Sequence, residues 1–223
     1  MFQFLATVIP SLVLVCFFVS LDKFPEPKKI IILTFILGIV IAIPAGFLNT
    51  YAIIYITENY PNALFLRVLI PGPVIEEILK LAVLLLFCAQ REAFDEPMDG
   101  LVYGATAALG FAMIENFGYV YNAEYYNTTW AYIAWIRAIL TAPMHACCGI
   151  ILGFSVSYYY FYKKNFVFIL LGLFIAILFH FAFNYGYSSS VVILQLILIF
   201  ILFKNLRKRQ ILLKEYTSKI LKI

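Results

Sequence analysis

Charged residues are scarce in this sequence: Asp, Glu, Lys and Arg together make up 13% of its 223 residues, against 64% hydrophobic ones. Soluble domains contain roughly 25% charged and 45–50% apolar residues, so an ordinary soluble protein is excluded. The four cysteines lie inside or at the edge of apolar runs, where a thiol usually acts as a small hydrophobic group, and they indicate no disulfide framework. No basic patch indicates nucleic-acid binding. The composition therefore predicts a polytopic membrane protein.

Long apolar runs, by contrast, recur along the whole chain. A helix needs about 20 apolar residues to span a bilayer. Runs that meet or approach this length cover residues 3–21, 30–56, 68–89, 100–121, 131–161, 166–187 and 189–203. The first run lacks the basic start and the small-residue exit of a cleaved signal peptide, so it is counted as a retained helix. We therefore predict an all-α fold, a polytopic transmembrane helical bundle of about seven spans.

The loops between the runs alternate in basic content, which predicts the orientation of the bundle. Cytoplasmic loops of membrane proteins are enriched in Lys and Arg. The basic loops here contain Lys23, Lys28, Lys29, Arg91, Lys163, Lys164 and the arginines of the C-terminal tail. The N-terminus is then outside and the C-terminus in the cytoplasm. The basic tail is interpreted as a topology signal, with a lipid-bound amphipathic segment as the alternative.

Two features of the fourth run have structural interpretations. Asp99 opens the run, and Asp is a typical residue at the N-terminus of a helix. Gly104, Ala107, Ala108 and Gly110 follow at spacings that place small side chains against a neighbouring helix. Small residues let membrane helices approach closely, so we predict a tight helix contact along this run.

Ionisable residues inside the apolar runs are few, and they are costly to keep in a bilayer. Such residues usually face the interior of the bundle and mark a functional site. They are Glu76, Glu77 and Lys80 in the third run, Glu115 in the fourth, His145 in the fifth and His180 in the sixth; the chain has only these two histidines. At ~1.5 Å per residue, the predicted topology places the four elements that carry them at similar depth, roughly 10–13 Å below the outer surface. We therefore predict one buried site in the outer half of the bilayer.

Helical spacing relates several of these residues. Glu76 and Lys80 are four residues apart and share a helix face, so an ion pair between them would explain one carboxylate but leave Glu77 unexplained. His180 and Asn184 also share a face, and a hydrogen bond between helices is the structural alternative for them. The prolines just before the two glutamates are expected to distort the start of the third helix.

Carboxylates and imidazoles in a dry pocket suit the activation of water. One glutamate would accept a proton from water as it attacks a carbonyl, and a histidine with an asparagine would hold the oxyanion that forms. The alternative is zinc, for which Glu76, Glu115, His145 and His180 are the candidate ligands. The HExxH helix of common zinc proteases is absent, so we expect a metal-free glutamate mechanism, with zinc as the alternative cofactor.

Four short motifs, in order on successive runs, carry a family resemblance. "EEILK", "FAMIEN", "PMHACCG" and "HFAFN" resemble the PrsW-type intramembrane proteases, a branch of the CAAX prenyl endopeptidase superfamily. The resemblance covers roughly residues 65–187. It implies a CAAX-protease-like core there, with N-terminal transmembrane helices in residues 1–64 and a last helix with a basic cytoplasmic tail in residues 188–223.

The resemblance also implies roles for single residues. Glu76 is similar to the glutamate that activates water, with Glu77 as its acidic partner. Glu115 stands where the superfamily motif FxxxH has histidine, and its role in water or metal binding is inferred only from that position. His180 and Asn184 match the motif that binds the oxyanion or a metal.

Two positions fit the superfamily pattern less directly. Lys80 departs in identity and spacing from EExxxR. His145 has no clear counterpart in the short motifs, so its assignment depends on depth and rarity, and a packing histidine is the alternative.

The function implied by the resemblance is a glutamate-dependent endopeptidase of the bacterial plasma membrane. It would make the first, site-1 cut in a single-pass membrane protein, such as an anti-sigma factor, on the extracytoplasmic side during a stress response. From the residues alone, a proton- or ion-coupled transporter is the main alternative, because buried Glu and His also build proton relays. No internal repeat typical of transporters is visible, and an inactive membrane scaffold would have to tolerate many buried ionisable groups.

Overall fold

The computed structural model describes residues 2–220, apart from the side chains of residue 209 and of residues 211–220. Any lipid contact of the basic C-terminal tail therefore falls largely outside the described side chains. The described residues form nine α-helices and no strand. The prediction of an all-α polytopic bundle is confirmed.

The helices follow one another with short connections. They are α1 (Phe2–Ser20), α2 (Lys28–Asn59), α3 (Leu64–Leu69), α4 (Ile75–Leu86), α5 (Pro97–Tyr121), α6 (Trp130–Ile136), α7 (Ala142–Phe161), α8 (Val167–Ala182) and α9 (Ser188–Ile220). Wider, π-helical turns at Ile70–Val74, Arg137–Thr141 and Phe183–Tyr187 join α3 to α4, α6 to α7 and α8 to α9.

Helix α5 is the centre of the bundle. It is buried along most of its length and packs mainly against α7 and α2. The approach is close because small residues line the contact: a Cβ at Gly104 would lie 2.1 Å from the carbonyl oxygen of Gly149, and one at Gly110 would lie 2.2 Å from that of Phe35. The predicted tight contact along this run is confirmed.

The number of long apolar helices differs from the prediction. Within residues 2–220, five stretches are long and apolar enough to cross a membrane: Phe2–Ser20, Lys28–Asn59, Pro97–Tyr121, Trp130–Phe161 and Val167–Lys208. The predicted count of about seven spans therefore differs from the number of stretches that meet these criteria. The third predicted run breaks near Pro71 and leaves α4 with 12 residues, and the last two runs form one stretch that bends at Gly186.

Burial separates central helices from peripheral ones. The most apolar window is 89% buried in α5 and 78% buried in Trp130–Phe161, but 17% buried in both α1 and α2 and 22% buried in Val167–Lys208. The exposed side chains of the peripheral helices are largely Phe, Ile, Leu and Val. An apolar exterior of this kind is the surface that lipid tails cover.

Candidate active site

One side of the site is formed where the helical backbone breaks between α3 and α4, just before the two adjacent glutamates. Pro71 has ψ 137°, and Gly72 has φ 78° and ψ −92°, so neither residue is helical. Gly72 tolerates this positive φ because it has no Cβ. The break frees the Gly72 backbone N–H, which donates to Oδ1 of Asn49 in α2 at 3.0 Å. The expected distortion by the prolines is therefore present, and a side chain from another helix satisfies the freed amide.

Glu76 stands one turn after this break and is only partly satisfied by neighbours. Its Oε1 accepts a hydrogen bond from Nδ2 of Asn49 at 3.0 Å. Its Oε2 is buried and has no hydrogen-bond partner among the described residues, and the nearest ammonium, Lys80 Nζ, is 3.7 Å away. A buried carboxylate oxygen without a hydrogen-bond partner is costly. The Oε2 of Glu76 is therefore a candidate acceptor for a proton, for a hydrogen bond from water or for a cation.

Glu77 has a different environment, although it is the next residue. It is fully buried, and its Oε1 lies 2.8 Å from Lys80 Nζ and 2.8 Å from His180 Nδ1. Lys80 Nζ is thus 2.8 Å from Glu77 and 3.7 Å from Glu76, so the ion pair of Glu76 with Lys80 that was the structural alternative is present but is the longer of the two. Glu77 is also held by His180, which contacts the same carboxylate oxygen as Lys80.

A continuous hydrogen-bonded network extends from Lys80 across the bundle. Lys80 Nζ donates to His145 Nδ1 at 2.8 Å, because an ammonium has no acceptor atom. His145 must then carry its proton on Nε2, which lies 2.7 Å from Glu115 Oε2. The other oxygen of Glu115 is 2.9 Å from the guanidinium of Arg137, whose Nε also donates to Asn116 at 2.6 Å. Residues from α4, α5, α7 and the turn before α7 are therefore connected.

His180 is oriented by Glu77 in the way that metal-binding histidines are oriented. Its Nδ1–H donates to the carboxylate, which leaves Nε2 with a free lone pair. A Cβ built on Gly72 would lie 3.8 Å from this Nε2, 3.7 Å from Glu76 Oε1 and 3.2 Å from Asn184 Nδ2. Three polar side chains therefore converge on a glycine that leaves them space.

A cavity of about 690 Å³ lies in front of these groups. Glu76, Glu115, His145, His180 and Asn184 all line it. Glu77 does not line the cavity, but it is hydrogen-bonded to His180, which does. The cavity is at the end of the bundle where α5 ends and α6 begins, since Gly118, Asn122 and Tyr126 also belong to its wall.

The lining residues fit a metal ion. Within the described part of the chain, Glu76, His145 and His180 each offer a ligand atom, and these atoms lie within 4.8 Å of one another. One carboxylate and two imidazoles are a ligand set typical of catalytic zinc. The Oε2 of Glu76 and the free Nε2 of His180 support the fit, whereas His145 would have to lose its Nε2 proton and give up its contact with Glu115 to become a ligand.

The structure thus brings together all six residues that the sequence predicted for the site, but it also adds residues that the prediction missed. Asn49 holds both Glu76 and the broken backbone, and Arg137 pairs with Glu115. Asn49 is a lone amide within an apolar helix and lies outside the predicted core of residues 65–187. Treating buried amides like buried charges would have found it.

Comparison with known proteins gives one family. The model of the "PrsW family intramembrane metalloprotease" matches residues 26–205. Three relatives, each named Protease PrsW, come from Oceanobacillus iheyensis, Bacillus subtilis and Geobacillus kaustophilus, with 34%, 32% and 30% identity over 151, 152 and 150 residues. The matched region covers 67% of this chain in all three cases, and 65%, 65% and 63% of the relatives. No solved structure matches the chain.

Proposed function

The chain belongs to the PrsW family, and from this membership we propose that it is an intramembrane endopeptidase that uses Glu76 to activate water. It is a multi-pass membrane protein of bacterial type, as its relatives and its apolar helices indicate. The chain spans about 65% of the length of the first two relatives, and we propose that it shares the protease activity that their names state. The wider relationship to the CAAX prenyl endopeptidases stays a prediction.

One observation carries this proposal: Glu76 lines a polar cavity, and its buried Oε2 has no hydrogen-bond partner among the described residues. Glu77 also has a buried Oε2 without such a partner, but Glu77 is not part of the cavity wall. Glu76 has one oxygen held by Asn49, and the other lies 3.7 Å from Lys80 Nζ without a hydrogen bond. This is the arrangement expected of a general base, which must be fixed in place and still be able to accept a proton.

The residues of the cavity suggest the order of proton transfers. Glu76 Oε2 accepts a proton from a water molecule as the water oxygen attacks the peptide carbonyl carbon. The side-chain amide of Asn184 donates to the carbonyl oxygen, on which negative charge develops. When the C–N bond breaks, the proton held by Glu76 passes to the leaving nitrogen. The products are a new carboxylic acid and a new amine, the acid then gives its proton to the amine, and Glu76 returns to its starting form.

A metal is compatible with the same residues, as the family description implies. Glu76, His145 and His180 would hold it. When bound, zinc would polarise the peptide carbonyl and lower the pKa of water. The role of Glu77 follows from its contacts: it fixes the ring of His180 and the ammonium of Lys80, so it positions other groups and does not itself face the cavity.

We propose a single-pass membrane protein, such as an anti-sigma factor, as the substrate. With the orientation predicted from loop charges, the cavity opens on the extracytoplasmic side, with the N-terminus outside and the C-terminus in the cytoplasm. A cut at this depth would separate the extracytoplasmic part of the substrate from its membrane anchor. Such a first cut would expose the remaining stub to a second protease and so begin a stress response.

Co-expression with tagged single-pass anti-sigma factors of the same host tests the proposal. The wild-type chain should produce a shortened fragment, and Glu76→Gln should reduce its amount at least 100-fold, since general-base catalysis contributes about 10²–10⁴-fold. Glu58→Gln, an exposed glutamate of α2, is the matched control and should cleave normally. Undiminished cleavage by Glu76→Gln in the membrane fraction would refute the mechanism.

Two further measurements separate neighbouring explanations. If the purified wild-type chain contains a metal, the metal content of the Glu76→Gln variant distinguishes two roles of Glu76: retained metal with lost cleavage indicates a general base alone, and loss of both metal and cleavage indicates that Glu76 is also a ligand. Reconstituted vesicles test the transporter alternative. Substrate-dependent proton flux without any peptide cleavage would favour transport.

A further inference from the structure

A second group of carboxylates lies at the opposite end of α5 from the cavity. Asp22 and Glu26 belong to the connection between α1 and α2, and Asp95, Glu96 and Asp99 surround the start of α5. From Asp99 to Glu115 the helix rises roughly 24 Å at ~1.5 Å per residue, so this cluster is separate from the candidate active site. The mechanism proposed above does not use it.

Three members of the cluster converge on one point. Asp22, Glu96 and Asp99 each offer an oxygen, and these oxygens lie within 4.8 Å of one another. Asp99 is 0% exposed and Asp22 is 8% exposed, so two of the three carboxylates are largely shielded from water. Carboxylates at this separation repel one another strongly in a partly dry site.

Helix capping explains only part of this arrangement. Oδ2 of Asp99 accepts from the backbone N–H groups of Asp95 and Glu96 at 2.8 Å and 2.7 Å, which confirms the predicted role of Asp99 at the helix start. Oδ1 of Asp99 and Oδ2 of Asp22 are buried and receive no hydrogen bond from an amide, a hydroxyl or a cation of the described chain. Asp99 also contacts another carboxyl group, that of Glu26, so both oxygens lie between acidic groups.

The neighbours of the cluster supply little positive charge. The side-chain amide of Gln210 in α9 donates to Asp22 Oδ1 at 2.9 Å and also to Glu96. Tyr103 donates its hydroxyl to Glu26. No lysine or arginine that the structure describes forms an ion pair with any of the five carboxylates. Neutral donors alone therefore face several negative charges.

From the convergent oxygens and the two unpartnered buried atoms, we propose that Asp22, Glu96 and Asp99 form a binding site for a hard divalent cation, Mg²⁺ or Ca²⁺. Oxygen ligands without nitrogen or sulfur select these ions over zinc. The amide oxygen of Gln210, which has no partner in this structure, is a further ligand once the amide rotates. The bound cation joins the α1–α2 connection, the start of α5 and α9.

Thermal unfolding of the purified chain, with its divalent ions removed, tests this site. MgCl2 or CaCl2 is added separately, with NaCl at matched ionic strength as the reference. At a concentration of about 100 times Kd, the preferred cation should raise Tm by roughly 5–10 °C. Equilibrium dialysis with radioactive Ca²⁺, and competition by Mg²⁺, should give one site per chain that the two ions share.

A charge-neutral variant makes the test sharper. Asp22→Asn with Glu96→Gln removes two ligands and two repelling charges, so it should unfold at a higher temperature than wild type without divalent ions and should not respond to them. Glu92→Gln, an exposed acid before the cluster, should respond like wild type. Equal responses of the double variant and the wild type, or no response of the wild type at millimolar Mg²⁺ and Ca²⁺, would overturn the proposal.

Discussion

Glu76 and Glu77 are neighbours in sequence, yet the structure predicts opposite consequences when each loses its charge. Glu77 is fully buried and contacts Lys80 and His180 at 2.8 Å each. Glu77→Gln leaves a buried ammonium without its close counter-charge. Removing one partner of a buried pair costs about 3–5 kcal/mol. For a chain of this size, the Tm should fall by roughly 6–20 °C.

Glu76→Gln should have a much smaller effect on stability. Glutamine keeps an oxygen that accepts from Asn49, and the Oε2 that changes has no hydrogen-bond partner to lose. The expected loss is about 1 kcal/mol or less. Catalysis, in contrast, should fall at least ~100-fold, because an amide cannot accept the proton of the attacking water.

Parallel measurements on the two purified variants separate stability from chemistry. Tm is read from intrinsic fluorescence in the same detergent, and cleavage is measured at a temperature where both variants are folded. The expected pattern is a low Tm for Glu77→Gln and a near-normal Tm with lost cleavage for Glu76→Gln. A wild-type Tm for Glu77→Gln, or a large Tm loss for Glu76→Gln, would refute the assignment of the two carboxylates.

Three other variants test the supporting residues. Asn49→Ala removes two hydrogen bonds of 3.0 Å and should lower kcat/KM at least 10-fold, while Asn59→Ala on the same helix, bonded only to its own backbone, should not. Gly72→Ala places a Cβ at φ 78° and 3.2 Å from an amide nitrogen, so cleavage and Tm should both fall. Arg137→Lys keeps the charge but loses the forked contact at 2.9 Å and 2.6 Å, and kcat should drop several-fold with little change in membrane expression. Wild-type kcat/KM in the Asn49 or Arg137 variant, or normal activity after Gly72→Ala, would show that the residue concerned does not support the site.

The residues of the site were predictable because a bilayer makes their burial costly. Glu76, Glu115, His145 and His180 interrupt long apolar runs, and a shared depth followed from counting residues along each helix. The structure connects them through contacts of 2.7–2.8 Å or places them around one cavity. Their ionisable side chains within apolar runs were enough to identify them in the sequence as candidates for the site.

Other features depend on three-dimensional neighbours. Helical spacing alone does not decide which glutamate is the close partner of Lys80, because residues three and four positions away both lie near it on the helix. The contact of Glu77 with His180, about a hundred positions later in the chain, is also not visible in the sequence. Asn49 was missed because an amide costs less to bury than a charge and so gives a weaker signal. The span count differs because hydropathy does not detect the backbone break at Gly72, and because the last two apolar runs continue as one stretch.

The central claim is that the cavity hydrolyses a peptide bond with the help of Glu76. The most direct measurement is mass spectrometry of a purified single-pass substrate after incubation with the purified chain in ¹⁸O-labelled water. The account predicts two fragments, with one ¹⁸O atom in the new carboxyl group, and no fragments with Glu76→Gln. Labelled fragments formed equally well by the Glu76→Gln variant would contradict it.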